Sequence, residues 1–532
     1  MRNMEIVDQR VRMAMRGTET TRGVVDGVHG KVASVRVSGA ILSAIIPELP
    51  VTLTNLNSLK YRSDGKLVAL AYNGDVYLLE DTDGDGLEDK VTPFWDRGGL
   101  RGPIGLALTP PDYPAGRGVF VPSKGKVSLL LDRDGDDRAD EEIIVAQGWQ
   151  EIAQSVDAVG VALDHAGNLY FGLGTPNFAN PYLLDEQGVA HFDFDGQNGT
   201  IQKVSPDWKH RETFAKGVRF TVALAFNRRG DLFGTDQEGA TWMPNGNPFD
   251  ELLHIRPGRY YGFPPRHPRH LPQVIDEPST FDYRPQHQST CGLNFNEPVQ
   301  GGPVFGPQWW AGDALVCGES RGKLYRTKLA ATADGYLATN ALIGCLNMLT
   351  LDACVSPRGE LVVCCHSGPP DWGTGPAGMG KLLKIAYTDQ AHPQPVCVWA
   401  SSPQEVRVQF DRPIEPTLLR NLQQQIAITY GPYTAAADEF ESFRPGYEVV
   451  QRQMGSPRME LAVRSATLTA DQTALVLATD EHPEAVNYAL RLPGMGRPAL
   501  SSPGAATAQH PRIDLAYDLT GVEADWQPAD AN

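Results

Sequence analysis

Arg229-Gly230-Asp231-Leu232-Phe233 (RGDLF) sets the pattern from which the fold of this 532-residue chain is read. A polar residue and a glycine make a turn, and a short apolar run follows as a strand. The arrangement returns at Asp64-Gly65-Lys66-Leu67-Val68, Arg117-Gly118-Val119-Phe120, Ala166-Gly167-Asn168-Leu169-Tyr170, Ala311-Gly312-Asp313-Ala314-Leu315 and Arg358-Gly359-Glu360-Leu361-Val362. Successive glycines are 53, 49, 63, 82 and 47 residues apart. Six such units with apolar runs on both sides predict an all-β chain built on a six-bladed β-propeller of four-stranded blades. A pair of β-sandwiches is the competing architecture and explains the regular spacing less well.

The longest interval holds Thr235 to Pro264, TDQEGATWMPNGNPFDELLHIRPGRYYGFP, with carboxylates at Asp236, Glu238, Asp250 and Glu251. Its glycines and prolines predict a long ordered loop inserted over a rigid scaffold, where binding chemistry usually sits. Residues 1–50 read as an extension or a strand pair, and 51–388 as the propeller. A polar, proline-containing boundary lies near Tyr387 to Pro395. Short alternating runs then follow, among them Glu405 to Phe410, Ile426 to Tyr430, Ala474 to Leu477 and Asn487 to Leu490. They predict an immunoglobulin-like β-sandwich over 394–493. Residues 494–532, rich in Pro, Ala and Ser, read as a tail.

The formal charge of −17 excludes the basic surface that nucleic-acid binding needs. Seven scattered cysteines make no disulfide framework, and the absence of CxxCH means no covalent haem in this chain. Cys364-Cys365-His366 after an apolar run reads as core more readily than as a metal site. The opening MRNMEIVDQRVRMAMRG is too charged for a signal peptide, and no apolar run is long enough to predict a membrane span.

Asp81-Thr82-Asp83-Gly84-Asp85-Gly86-Leu87-Glu88-Asp89 places alternate carboxylates where they converge on one hard cation, and Gly86 makes the sharp turn. Asp81, Asp83, Asp85, the Leu87 carbonyl and Asp89 are the candidate calcium ligands; the competing reading is a solvated acidic turn. Asp132, Asp134, Asp136 and Asp140 form a second copy, but Asp137 stands in the glycine position. Weaker signals are the histidines 254, 267, 270 and 287, which have no helical metal spacing, and the pairs Trp309-Trp310 and Tyr260-Tyr261. The aromatic pairs suit either sugar stacking or packing between blades.

Several pieces carry a resemblance: Arg219 with Leu224-Ala225-Phe226, Asp231 to Asp236, Asp250 to Ile255, Gly258, and Tyr261-Gly262-Phe263-Pro264. They resemble the R-N-x-x-G-L-A-F, G-D-L-F, D-E-L-N and Y-G-W-P elements of the soluble sugar and sorbosone dehydrogenases that use pyrroloquinoline quinone (PQQ). The branch with aspartate-rich loops, often joined to c-type cytochrome domains, is the most similar. The resemblance covers about Val51 to Tyr387. It implies a six-bladed propeller with calcium beneath PQQ, a sugar or aldehyde substrate, a cytochrome electron acceptor and a periplasmic or cell-surface location. It also implies cofactor contacts from Arg219, Asp236, Glu238, Gly239 and Arg321.

The chain departs from that pattern at several points. Phe220 replaces the asparagine after the arginine. Ser155 to Val159 replaces the histidine base, leaving Asp157 as the substitute base. Leu349 and Leu351 stand where two arginines bracket the quinone. A non-catalytic, calcium-stabilised propeller that binds carbohydrate or a protein partner is therefore the alternative function.

Overall fold

The computed structural model describes backbone strands at 5–7, 10–12, 32–37 and 40–45, and residues 53–243, 246–346, 348–387, 393–420, 422–436, 438, 443–493 and 512–519. The chain is all-β, with one α-helix among the described residues. No helix there is long and apolar enough to cross a membrane.

Six antiparallel sheets follow one another along the chain. Their first strands are Leu56–Tyr61, Ala107–Leu108, Ala158–Leu163, Thr221–Phe226, Thr290–Phe295 and Leu349–Val355. From the third sheet onward each first strand packs on the next, and Leu349–Val355 returns to Leu56–Tyr61. The first two sheets are tied by Asn57 Nδ2 to the Pro103 carbonyl at 2.6 Å and Gly105 N to Ser58 Oγ at 2.9 Å. The result is a closed, propeller-like ring. Second strands such as Leu67–Ala71 and Leu361–His366 are buried at every position, so they are continuously apolar rather than alternating.

Five of the six motif glycines turn through positive φ, from 82° to 89°. Gly118 does not. It lies inside Arg117–Ser123, where an added Cβ would meet the Leu130 carbonyl at 2.4 Å, and the turn falls at Gly116 instead.

The sixth sheet takes its outer strands from the beginning of the chain. Ala40–Ile45 pairs with Lys381–Tyr387, and Val32–Val37 pairs with Ala40–Ile45. Residues 32–45, within the stretch read as an extension or a strand pair, thus add two strands to the sixth sheet, while Glu5–Val7 and Arg10–Arg12 form a separate two-stranded sheet.

After the ring come two more four-stranded sheets. Val406, Val408, Leu475 and Leu477 from one share a core with Ile428, Tyr488, Leu490 and Ile513 from the other. The stretch read as a tail contributes Arg512–Tyr517, which pairs with Asn487–Pro493. The alternation of Ile513, Leu515 and Tyr517, all buried, explains why this segment folds. The helix α1 (Glu448–Met454) lies in a connection of this unit and packs Val449 and Val450 against Ala240 of the ring.

Candidate functional site

In an antiparallel sheet the start of the first strand and the end of the second share one edge. Asp157, Arg219-Phe220 and Ser289 precede first strands; Asp236 to Glu238, Glu319 to Arg321 and Asp371-Trp372 follow second strands. All therefore gather at one end of the ring.

Thr235 to Pro264 is not one loop. Its glycines and prolines are confined to 239–248 and 257–264, which leaves Asp250–Ile255 free to form the third strand of the fourth sheet. Asp250 Oδ1 accepts the Glu238 amide at 2.8 Å, while Oδ2 accepts the amides of Gln288 (2.8 Å) and Ser289 (2.7 Å). Asp236 accepts the amides of Arg219 and Phe220, each at 2.8 Å, and the Thr221 hydroxyl at 3.1 Å. Burial lifts its carboxyl to about 6. Glu238 is pushed well above the carboxylate range by burial, with the Asp236 charge adding to it. Its Oε2 is buried without a hydrogen-bond partner.

The Arg219 guanidinium donates to the Gln237 carbonyl (2.8 Å) and the Phe178 carbonyl (3.1 Å) and stacks over Phe178 at 4.8 Å. Gly239, at φ 68°, lets it in: a Cβ there would lie 2.5 Å from Nη2. Arg321 is fully buried and donates to the carbonyls of Gln286 and His287, with Met454 Sδ 3.5 Å from Nη1.

The feature sequence reasoning missed is a hydrogen-bonded His…Asp pair between residues 84 positions apart. His287 Nε2 lies 2.8 Å from Asp371 Oδ1 and 2.8 Å from Ser289 Oγ. Burial alone would lower the imidazole, yet its pairing with Asp371 holds it above the ordinary histidine value. Asp371 moves the other way and is held low: its burial opposes, but the His287 bond and charge, with bonds from Tyr447 and Ser320, outweigh it. Tyr447, immediately before α1, bonds Asp371 and sets its ring edge-to-face with His287 at 5.5 Å. Glu319, raised to about 7 by burial, accepts Ser320 Oγ at 2.8 Å and the Trp372 amide at 2.9 Å. Trp372 stacks on Tyr72 and meets Phe220, which in turn meets Phe178. A His…Asp pair separated by a whole sheet leaves no local signal, so only the ring topology finds it.

Asp157 is fully buried at the same end; Oδ1 accepts the Gly125 and Ala158 amides, and Oδ2 has no partner. Leu349 and Leu351 are core. PQQ brings three carboxylates, which need cationic donors. The Arg219 nitrogens Nη1 and Nη2 are engaged by carbonyls, Arg321 holds two more, and five acids (Asp236, Glu238, Asp250, Glu319, Asp371) surround them. As arranged, these residues do not fit that cofactor.

The aspartate loops join third strands to fourth strands, so they lie at the opposite end of the ring from this cluster. Asp81, Asp83 and Asp85 each bring an oxygen within 4.8 Å of the others, as do Asp132, Asp134 and Asp136. The donor set suits a hard cation. Asp89 is turned onto Thr82 N (3.0 Å) and Oγ1 (2.8 Å), and Asp140 onto Arg133 N (2.8 Å). The Leu87 side chain is buried. Arg358 reaches the first loop's Gly84 carbonyl. The second loop is more fully neutralised, since Asp132 pairs with Arg117, and Asp137 with Arg62 (2.9 Å) and Lys66 (2.6 Å).

Cys364 and Cys365 are buried core thiols, and Arg326, which pairs with Asp313, lies against the edge-to-face rings of Trp309 and Trp310.

A family model described as "Domain of unknown function (DUF7133)" matches residues 57–324, half of the chain. The chain belongs to the DUF7133 family. No curated protein matches this DUF7133 chain. Among solved structures it is similar to a putative oxidoreductase (glucose dehydrogenase) from Thermus thermophilus, at 20% identity over 66% of this chain and 99% of that one, TM-score 0.47. The PQQ domain of a pyranose dehydrogenase from Coprinopsis cinerea is similar at 12% identity over 70% and 98%, TM-score 0.44. A gluconolactonase from Xanthomonas campestris is similar at 10% identity over 69% and 99%, TM-score 0.38.

Proposed function

We propose that this chain is a dehydrogenase-type propeller protein that binds a sugar or aldehyde at the acid-rich end of its ring, with the quinone contacts of the dehydrogenases replaced. In this reading residues 51–388 are a six-bladed propeller, and the unit from 394 onward, extended by the strand at 512–517, is immunoglobulin-like. One observation carries it. His287, Arg219, Asp371 and Tyr447 meet beside the rings of Trp372, Phe220 and Phe178, and three buried polar atoms (His287 Nδ1, Arg219 Nε, Glu238 Oε2) lack partners. Aromatic faces with a few convergent polar groups are what a polyhydroxylated ligand requires. Calcium in the Asp81 and Asp132 loops would brace the far end of the ring and take no part in binding.

A second reading, PQQ-dependent oxidation passing electrons to a c-type cytochrome, is favoured by the unpartnered Asp157 Oδ2 at the position expected of the base. Titration of the calcium-loaded protein with a panel of aldoses and aldehydes, and separately with PQQ, tests both. Sugar or aldehyde binding without PQQ binding supports the first reading. Micromolar PQQ binding with dye reduction, lost in Asp157→Asn, replaces it with the second.

A further inference from the structure

His287 has one nitrogen engaged and one free. Nε2 faces the Asp371 carboxylate, which only accepts, so Nε2 carries a proton; Nδ1 then accepts from a ligand hydroxyl when the ring is neutral and donates to it when the ring is charged. Nδ1 is buried and has no partner. Ser320 Oγ, 3.0 Å from Ser289 Oγ and 3.3 Å from Asp371 Oδ1, completes the support behind the ring. The other side is closed by the C-terminal unit. Tyr447 sets its ring on the imidazole and its hydroxyl on Asp371. The C-terminal end of α1 is fixed to the segment that carries His287: Gln453 bonds Gln286, and Met454 touches Arg321, which holds the Gln286 and His287 carbonyls.

We propose that His287 Nδ1, with Asp371 behind it and Tyr447 supplied by the C-terminal unit, is the binding point for one ligand hydroxyl, so that ring and C-terminal unit build the pocket jointly. This rests on the sugar or aldehyde reading above, a hydrated aldehyde offering the same hydroxyl donor. His287 and Tyr447 are binding residues here; Asp371 and Ser289 position the imidazole. Arg219 belongs to the same cluster and is near enough to Tyr447 for its charge to act on the phenol.

The test titrates full-length, calcium-loaded protein with D-glucose, D-xylose and D-glyceraldehyde by calorimetry, for wild type, His287→Gln and Tyr447→Phe. Imidazole nitrogen NMR follows the free and ligand-saturated wild type. The expected result is an affinity loss of about tenfold in each variant, the scale of one hydrogen bond. The Nδ1 resonance moves on ligand addition while Nε2 stays protonated. Wild-type binding with unchanged affinity in both variants and a static Nδ1 signal overturns the His287 site and leaves the sugar or aldehyde reading standing. Wild type that binds none of the three probes overturns that reading, and the site falls with it. Should His287→Gln misfold, Tyr447→Phe and the NMR signal decide alone.

Discussion

Gln286 and Gln453 hold each other by two hydrogen bonds: the Gln286 amide donates to Gln453 Oε1 at 3.0 Å, and Gln453 Nε2 donates to Gln286 Oε1 at 2.9 Å. The Gln286 side chain also reaches the Pro248 carbonyl at 3.2 Å. One residue of the C-terminal unit thus supports both the His287 segment and the loop after Glu238.

Gln453→Ala leaves the buried Gln286 amide without its acceptor, a loss of about 1–3 kcal/mol. Hydrogen exchange should rise at 286–289 and in α1, with the sheet strands unchanged. Equal protection in both proteins would show that α1 is held by Val449 and Val450 alone.

Arg326 and Asp313 form a buried pair at 2.6 Å, each side chain 6% exposed. Arg326→Met strands the Asp313 carboxylate and should cost about 3–5 kcal/mol, read as a fall in unfolding midpoint. Asp313→Asn with Arg326→Met should recover part of it, because the uncompensated charge is gone.

Calcium should raise the melting temperature, reversibly with chelator. A cation at 100 times its dissociation constant stabilises the folded state by about 2.7 kcal/mol. Asp83→Asn should abolish most of the shift and Asp134→Asn much less, since Arg117, Arg62 and Lys66 already neutralise the second loop. Identical melting with calcium and with chelator would leave both loops as acidic turns.

Glu319 makes stability fall as pH rises. Its folded value near 7 exceeds the ordinary 4.5, so between them the folded state holds a proton that the unfolded chain has released. Asp236, raised to about 6, acts the same way from 3.8 upward. His287, raised by Asp371, contributes stability that is complete below its ordinary 6.5 and is lost above its folded value. Asp371 has the opposite sign: its contribution is lost as pH falls below the ordinary carboxylate range. The melting temperature should therefore peak in mild acid and decline toward pH 8. Glu319→Gln, which keeps an oxygen for the Trp372 amide, should flatten that decline between pH 5 and 7. An unchanged slope would place the effect elsewhere.

The ring was legible because its turns are local: Gly65, Gly167, Gly230, Gly312 and Gly359 announce themselves within five residues. Gly118 matched the same letters for a different reason, the close approach of the Leu130 carbonyl, and periodicity cannot separate the two. The DELLHI strand was obscured by glycines and prolines on both sides of it, and the strand at 512–517 by the composition around it. Arg219 and Arg321 were visible as charges; that they hold backbone carbonyls depends on loops brought from other sheets. His287 and Asp371 meet only because strand edges from the fifth and sixth sheets converge, and Tyr447 arrives from outside the ring.

The pairing of Ala40–Ile45 with Lys381–Tyr387 joins stretches separated by more than three hundred residues. During synthesis the earlier strand must wait, its edge open, until nearly the whole ring has been made. Closing so long a segment adds little entropy beyond that of a shorter one, because the cost grows only with the logarithm of length. The delay is kinetic: a hairpin with one open edge is free to seek a neighbouring molecule, and exchange of the hairpin 32–45 between two copies is the assembly error this topology invites.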